Sequence, residues 1–278
     1  MSAADHPGAR VSPPARSAEA ARAPGPVPVV VALCVVAVIG GTFLATSGTP
    51  LLRGLGVLAL IAVGVLGVGT LIVAQSRAER ARRAALAETL DAAGFVPVFE
   101  PSQEQRAQLF AHLAHLPNFQ NAGRSVRWFA RGEVDGSPVT LLEYTHVVST
   151  GKHTHTVVLS VAAAPCPESW PLLTLKPEGF LHRVGEIFGV HDLRLDSDAF
   201  NRRWRVSCER EDFALLALSP EAQQWLLAAP RAEQWTLGGP THAIAAVRIG
   251  MLGPADALEF LRRPVEFMEH MPDELWNW

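Results

Sequence analysis

The stretch VRWFARGEVDGSPVTLLEYTHVV, residues 126–148, decides the fold of the C-terminal part of the chain. Two runs rich in β-branched and aromatic residues, Val126–Val134 and Val139–Val148, flank Asp135-Gly136. An Asp-Gly pair between such runs marks a tight hairpin, because both central residues of the favoured turn need a positive φ. A second turn at Ser149-Thr150-Gly151-Lys152 leads into Thr154–Ala162, so the stretch predicts a three-stranded antiparallel meander.

Outward from the meander, the pattern mixes strands and helices. Pro165, Pro167 and Pro171 interrupt it before a short strand, Leu172–Leu175. Pro177 then suits the first turn of a helix with Phe180, Leu181, Val184, Ile187 and Phe188 on its apolar face, expected to cover one side of the sheet and to stop at Gly189. Trp204, Val206 and Cys208 alternate with Arg203, Arg205 and Ser207 as in a half-buried strand with a basic outer face. Ser219-Pro220 starts another helix. Trp235–Leu237 and Ala243–Ile249 form a hairpin around Gly238-Gly239-Pro240, and Pro254–Met271 closes the chain as a helix with Ala257, Leu258, Leu261, Val265 and Met268 inward. On the N-terminal side, Ser102-Gln103-Glu104-Gln105 is a capping box ahead of a helix buried through Leu109, Phe110, Leu113 and Leu116. The expectation for 95–278 is one α+β domain, an antiparallel sheet with packed helices. A chain of that length can bury roughly 70% of its unfolded surface and fold by itself.

Upstream the composition changes. The chain of 278 residues is 49% hydrophobic and 18% charged, and the apolar excess lies in two blocks, 27–46 and 51–75. Each is long enough at 1.5 Å per residue to cross a hydrocarbon core of about 30 Å. The turn Ser47-Gly48-Thr49-Pro50 is too short for anything but a helical hairpin. Arg10, Arg16 and Arg22 precede the first block and Arg77, Arg80, Arg82 and Arg83 follow the second, with Arg53 alone near the turn. Basic flanks stay in the cytoplasm, so both termini are expected inside, in a bacterial inner membrane. Residues 1–26 read as a disordered tail. Residues 76–94 read as a juxtamembrane helix whose Arg77, Arg80, Arg82 and Arg83 snorkel to lipid phosphate. Small residues at Ala37, Gly41 and Ala45 and at Gly64, Gly67 and Gly69 pack the two spans together, or pair two copies of the chain.

Charge and cysteine usage narrow the function classes. Only Lys152 and Lys176 are lysines among 24 basic residues, the codon bias of a GC-rich bacterial genome. Residues 95–278 carry 16 Lys and Arg against 22 Asp and Glu, which leaves no broad basic surface for nucleic acid. Cys34, Cys166 and Cys208 are too scattered for a disulfide framework or a C-x-x-C metal pair.

Candidate chemistry is sparse. Ser149-Thr150-Gly151-Lys152-His153 lacks the upstream glycine and the following hydroxyl of a phosphate loop; His146 and His153 stand there instead. His146, His153 and His155 can approach one another across the hairpin and three imidazoles can hold zinc, but no carboxylate accompanies them, and solvated polar residues are the favoured reading. His112 and His115 stand at helical spacing without a third ligand. Asp192, Asp196 and Asp198 lack the glycine and terminal glutamate of a calcium loop. No motif demands a cofactor.

Four segments together, Leu141-Leu142-Glu143-Tyr144 before the Gly151-Lys152 turn, Thr156-Val157-Val158-Leu159 after it, Leu175-Lys176-Pro177-Glu178-Gly179-Phe180, and Asp198-Ala199-Phe200 leading into Trp204, resemble an uncharacterised family of bacterial membrane-anchored proteins. The resemblance implies two spans and a cytoplasmic α+β domain and carries no activity or site. The sequence thus predicts a membrane-anchored, non-catalytic module for a protein or peptide partner, with the lipid bilayer and a second copy of the chain as further partners. The alternative is a tethered enzyme, or a ligand or metal sensor, with its site near the 146–155 hairpin.

Overall fold

The computed structural model describes residues 42, 46, 49–113, 116, 125–149, 154–177, 192–229 and 233–278. The first apolar block, the 1–26 tail and the expected 177–189 helix beyond Pro177 lie outside the described residues, apart from isolated positions in the block. Two compact units divide at Ala78/Glu79.

In the first unit the second apolar block is helical, as the N-terminal part of α1 (Pro50–Ala92). Among the described residues this one helix is long and apolar enough to cross a membrane. Leu58, Ile61, Val65, Leu66, Leu71 and Ile72 are all more than half exposed, so the segment is apolar all round, as lipid requires. Its hydroxyls are satisfied within the helix: Thr70 donates to the Gly67 carbonyl and Ser76 to that of Ile72.

The second unit, Glu79–Trp278, is α+β. Its strands are β1 (Val96–Phe99), β2 (Val126–Val134), β3 (Ser137–Ser149), β4 (Thr154–Pro165), β5 (Leu173–Pro177), β6 (Asp192–Leu193), β7 (Trp204–Cys208), β8 (Gln234–Leu237) and β9 (Ala243–Ile249). They form one antiparallel sheet in the order β1-β2-β3-β4-β9-β8-β5-β7-β6. Besides α1, the helices are α2 (Gln103–Leu113), α3 (Asp198–Arg203), α4 (Glu211–Ala217), α5 (Pro220–Ala228) and α6 (Pro254–Glu269).

The hairpin at 135–136 forms as its chemistry demands, with Asp135 at φ 49° and Gly136 at φ 81°. The capping box also forms: the Gln105 amide donates to the Ser102 hydroxyl, and the Ser102 amide to the Gln105 side-chain oxygen. Pro177 ends β5, pairing opposite Trp204.

The sheet is covered on both faces. One face carries Trp128, Leu141, Ala162, Leu175, Trp235 and Ala246 in a core completed by α1, α4, α5 and α6. The other carries Phe129, Leu142, Tyr144, Leu159, Val161 and Val247 under Leu109 and Leu113 of α2. Two-sided burial explains why β9, AIAAVRI, is an unbroken apolar run apart from one arginine, and α6 packs on β4 where Ala162 and Ala164 are small.

The domain begins earlier than the sequence indicates. Leu86 and Leu90 of α1 are fully buried in the first core, so the last turns of α1 belong to the domain and are not a separate juxtamembrane element. Their four-residue spacing places both on one stripe, and Gly94, at φ 80°, ends the helix.

Gly238 is a tight backbone point. It sits at φ 63° and ψ −145°, and a Cβ there would lie 2.6 Å from the Pro171 carbonyl oxygen and 2.7 Å from Trp170. Gly238→Ala combines a glycine-only conformation with a clash against backbone, so a loss of about 3 kcal/mol is expected in urea unfolding. A variant within 0.5 kcal/mol of wild type, a range ordinary for surface changes, would show that this turn relaxes freely.

Candidate functional site

Among the described residues the domain has two buried ion networks, both on the α1/α6 face of the sheet. The first joins α1 to the sheet. Glu143 is fully buried in the middle of β3, where an ionised carboxylate survives only if it is paired and hydrogen-bonded. Arg82 of α1 supplies a two-pronged pair, Nη1 to Oε1 at 2.8 Å and Nη2 to Oε2 at 3.0 Å, and the Leu252 amide donates to Oε1 at 2.9 Å. The same guanidinium donates to the Leu252 carbonyl at 2.8 Å. One arginine therefore ties together α1, β3 and the segment between β9 and α6.

Glu79 completes this network by accepting from Arg82, Arg83 and Arg127. The Arg82 hydrogen bond leads in holding its carboxyl down at about 2, against the opposing effect of burial, with Arg83 and Arg127 assisting.

The four arginines expected at the lipid interface thus divide. Arg77 and Arg80 are exposed. Arg82 is turned into the domain, and Arg83, half-buried, bonds Glu79 and lies 3.8 Å from Glu100. Helical periodicity gives the reason: residues three and four after Glu79 share its face, and that face packs on the sheet.

The second network is built around Glu233, 2% exposed, between Arg248 of β9 and Arg263 of α6, each 8% exposed. Arg248 Nη2 donates to Glu233 Oε1, and Arg263 Nε to Oε2 at 3.2 Å. Arg263 also bonds Glu266 at 3.2 Å. Both guanidinium groups lie over rings, Arg263 at 4.0 Å from the Trp225 centroid and Arg248 at 4.5 Å from Phe260. Trp225 stacks on Phe267 at 5.3 Å and meets Trp235 edge-on at 5.8 Å. Arg248 Nε and Nη1 and Arg263 Nη2 have no hydrogen-bond acceptor, which leaves the aromatic faces as their compensation.

The histidine cluster is only partly placed. His146 is 8% exposed in β3, opposite Val157, with Nδ1 buried and unpartnered. Burial pushes its pKa below the ordinary 6.5. His155 stands opposite Val148, two positions along the ladder from a direct pairing with His146. Lys152, His153 and His115 lie outside the described residues, and His112 is a position of α2. Among the described residues no group of three His, Cys, Asp or Glu side chains is placed to hold a metal ion. The acidic loop has a structural use: Ser197 caps α3 by accepting from the Phe200 amide, and Asp198 is the acid of its first turn. Arg203 also serves structure, donating to the Leu227 and Ala229 carbonyls at the end of α5. The two described thiols, Cys166 and Cys208, are pushed up by burial, Cys166 to about 11.

These groups set the acid response. Glu79 and His146 both have folded pKa values below their unfolded ones, so each contributes stability above its ordinary pKa that is lost as pH falls. His146 acts first, below its ordinary 6.5, and Glu79 between 4.5 and about 2. Urea midpoints should therefore drop on acidification in two stages. His146→Phe should flatten the upper stage and Glu79→Gln the lower; an unchanged upper stage in His146→Phe would assign it to other groups.

Glu143, Glu233, Arg248 and Arg263 are the residues that sequence reasoning missed. The available signal was a charge inside an apolar run, Leu-Leu-Glu-Tyr at 141–144 and Ala-Ala-Val-Arg-Ile at 245–249. Comparison with protein-family models, with curated proteins and with solved structures finds no match to this chain.

Proposed function

We propose that the protein is an anchored module of a bacterial inner membrane that binds a protein or peptide on its cytoplasmic side and catalyses no reaction. In this reading 27–46 and 51–75 form a two-span hairpin with both termini inside, as the arginine distribution and the resemblance to bacterial two-span proteins support. Arg77 and Arg80 meet lipid phosphate.

The observation that carries the binding reading is how the described ionisable groups are used. Glu143, Glu233, Arg82, Arg248 and Arg263 neutralise one another in the core, Glu79 is held near 2, and Cys166 is pushed to about 11. Acid–base and nucleophilic catalysis need groups poised near neutrality, and the Glu79 carboxyl and the Cys166 thiol are driven away from it. Meanwhile Leu215 of α4 and Trp276 of the C-terminal turn, on elements that pack together, are 51% and 39% exposed. An exposed Trp and an exposed aliphatic side chain on elements that pack together suit a protein contact. Both described sheet edges are poor docking strands, β6 being two residues long and β1 containing Pro97.

The test is recovery of a partner from membranes solubilised in mild detergent. Leu215→Asp with Trp276→Glu should lose a partner that the wild-type chain retains, measured at a temperature at which both chains are folded, since Trp276 also packs on Trp170 at 5.1 Å. An identical partner set, or a turnover activity that depends on the 146–155 hairpin, would sink the reading.

A further inference from the structure

The end of the domain at which α1 joins it holds a second feature, the free end of the β3–β4 hairpin. Two pairs of contacts fix the direction of α1 along the sheet. Near its C-terminus, Leu90 accepts from the Phe95 amide, and the Phe95 ring covers Gly132 of β2 at 2.6 Å from where a Cβ would stand. At the other end Glu79 bonds Arg127 of β2 at 2.7 Å. Eleven helical residues at 1.5 Å and five strand residues at about 3.3 Å cover the same distance, about 17 Å, so α1 lies along β2. Moving back along α1 toward the apolar segment is therefore moving toward low numbers in β2 and high numbers in antiparallel β3.

In that direction β3 outruns its neighbours. The last β3 residue paired with β2 is Tyr144, opposite Val126, and the last β4 residue paired with β9 is Leu159, opposite Ile249. Beyond them four pairs, from His146–Val157 to Ser149–Thr154, make a two-stranded arm. Four residues past Thr145, whose amide still donates to the Ser125 carbonyl, give it a reach of about 13 Å. Val147 on this arm is 56% exposed, and it shares the pleat face of Glu143, the face on which α1 packs lower down. At the base of the arm Met251 is 53% exposed. It is held between Gly250, which donates to the Val158 carbonyl, and Leu252, which is bonded to Glu143 and Arg82.

Two exposed apolar side chains thus stand at the end where the chain arrives from its apolar segment. That segment ends at Gln75, four residues before Glu79, and four residues span at most about 14 Å even fully extended. We propose that this end of the domain is a lipid-contacting surface, with Val147 of the arm and Met251 at its base entering the interfacial region of the bilayer that holds the anchor. The inference rests on the anchor reading. Its occupant is lipid because a bilayer surface lies within chain reach of Glu79 whatever angle the two units adopt, and the arm is about as long as that reach.

The test places one fluorescent amino acid at a time in the full chain, by stop-codon suppression at 147, 251, 73 or 133. The chain is reconstituted in vesicles of phosphatidylcholine and phosphatidylglycerol, with and without nitroxide-labelled lipid. Glu133 is the control, since it lies beyond Gly132 at the opposite end of β2 and is exposed. Probes at 147 and 251 should be quenched by lipid nitroxide to an extent approaching that of the probe at Val73, while the probe at 133 is not. Quenching at 73 alone would overturn the surface and leave the anchor standing. No quenching at 73 would remove the anchor and the surface together. Shielding of 147 and 251 from aqueous iodide without lipid quenching would assign this end to a second chain, which also overturns it.

Discussion

A fragment of residues 95–278 is expected to lose cooperative unfolding, whereas residues 79–278 keep it. The shorter fragment contains every strand of the sheet and looks complete by size, but it lacks three groups that the core uses. Leu86 and Leu90 are fully buried, and removing either is comparable to a Leu→Ala change at about 2–5 kcal/mol. Arg82 neutralises Glu143, and breaking a buried pair from one side costs about 3–5 kcal/mol. The sum reaches the whole stability of a typical domain, about 5–15 kcal/mol. Thermal melts followed by circular dichroism check it, with Leu86→Ala, Leu90→Ala and Arg82→Ala in residues 79–278 as graded steps. An equally sharp melt of 95–278 at the same temperature would mean that α1 packs on a core already complete.

The same helix shows where the sequence stopped being readable. Residues 76–94 are correctly legible as a helix, because nothing between Ser76 and Ala93 breaks one and Gly94 ends it. Which side of the domain boundary it falls on is not a local property. Leu86 and Leu90 form a stripe too short to separate from chance, and four arginines after an apolar block fit lipid phosphate as well as they fit a buried glutamate. Only the partner decides, and Glu143 lies 61 positions downstream of Arg82. The hairpin at Asp135-Gly136, the capping box at Ser102 and the alternation from Trp204 to Cys208 were legible for the opposite reason: each is set by residues within one turn or one strand. Non-local pairing also hid the order of the sheet, in which β9 lies beside β4 and β5 between β8 and β7.

Glu233→Ala is expected to be among the most damaging single substitutions in the domain, and replacing the whole charged triad the least damaging way to remove it. In Glu233→Ala, Arg248 loses its main carboxylate partner, with Glu259 only at 4.0 Å, and Arg263 retains only Glu266. Both guanidinium groups are 8% exposed and already carry nitrogens without acceptors, so no spare hydrogen bond absorbs the loss. Stranding a buried charge costs about 3–5 kcal/mol, and the rings of Trp225 and Phe260 repay each arginine by only about 1–2 kcal/mol. If the network serves the fold alone, Glu233→Leu with Arg248→Met and Arg263→Met should be within about 1 kcal/mol of wild type or more stable, because each buried charge is removed with its desolvation cost. The rings of Trp225, Trp235 and Phe260 then stack against thioether instead of guanidinium. Urea unfolding of the single and triple variants measures both ends. A triple variant as unstable as Glu233→Ala would show that the charges also fix the packing of α6 on β9, and a stable triple variant that loses the partner recovered by the wild-type chain would give the network a role in binding.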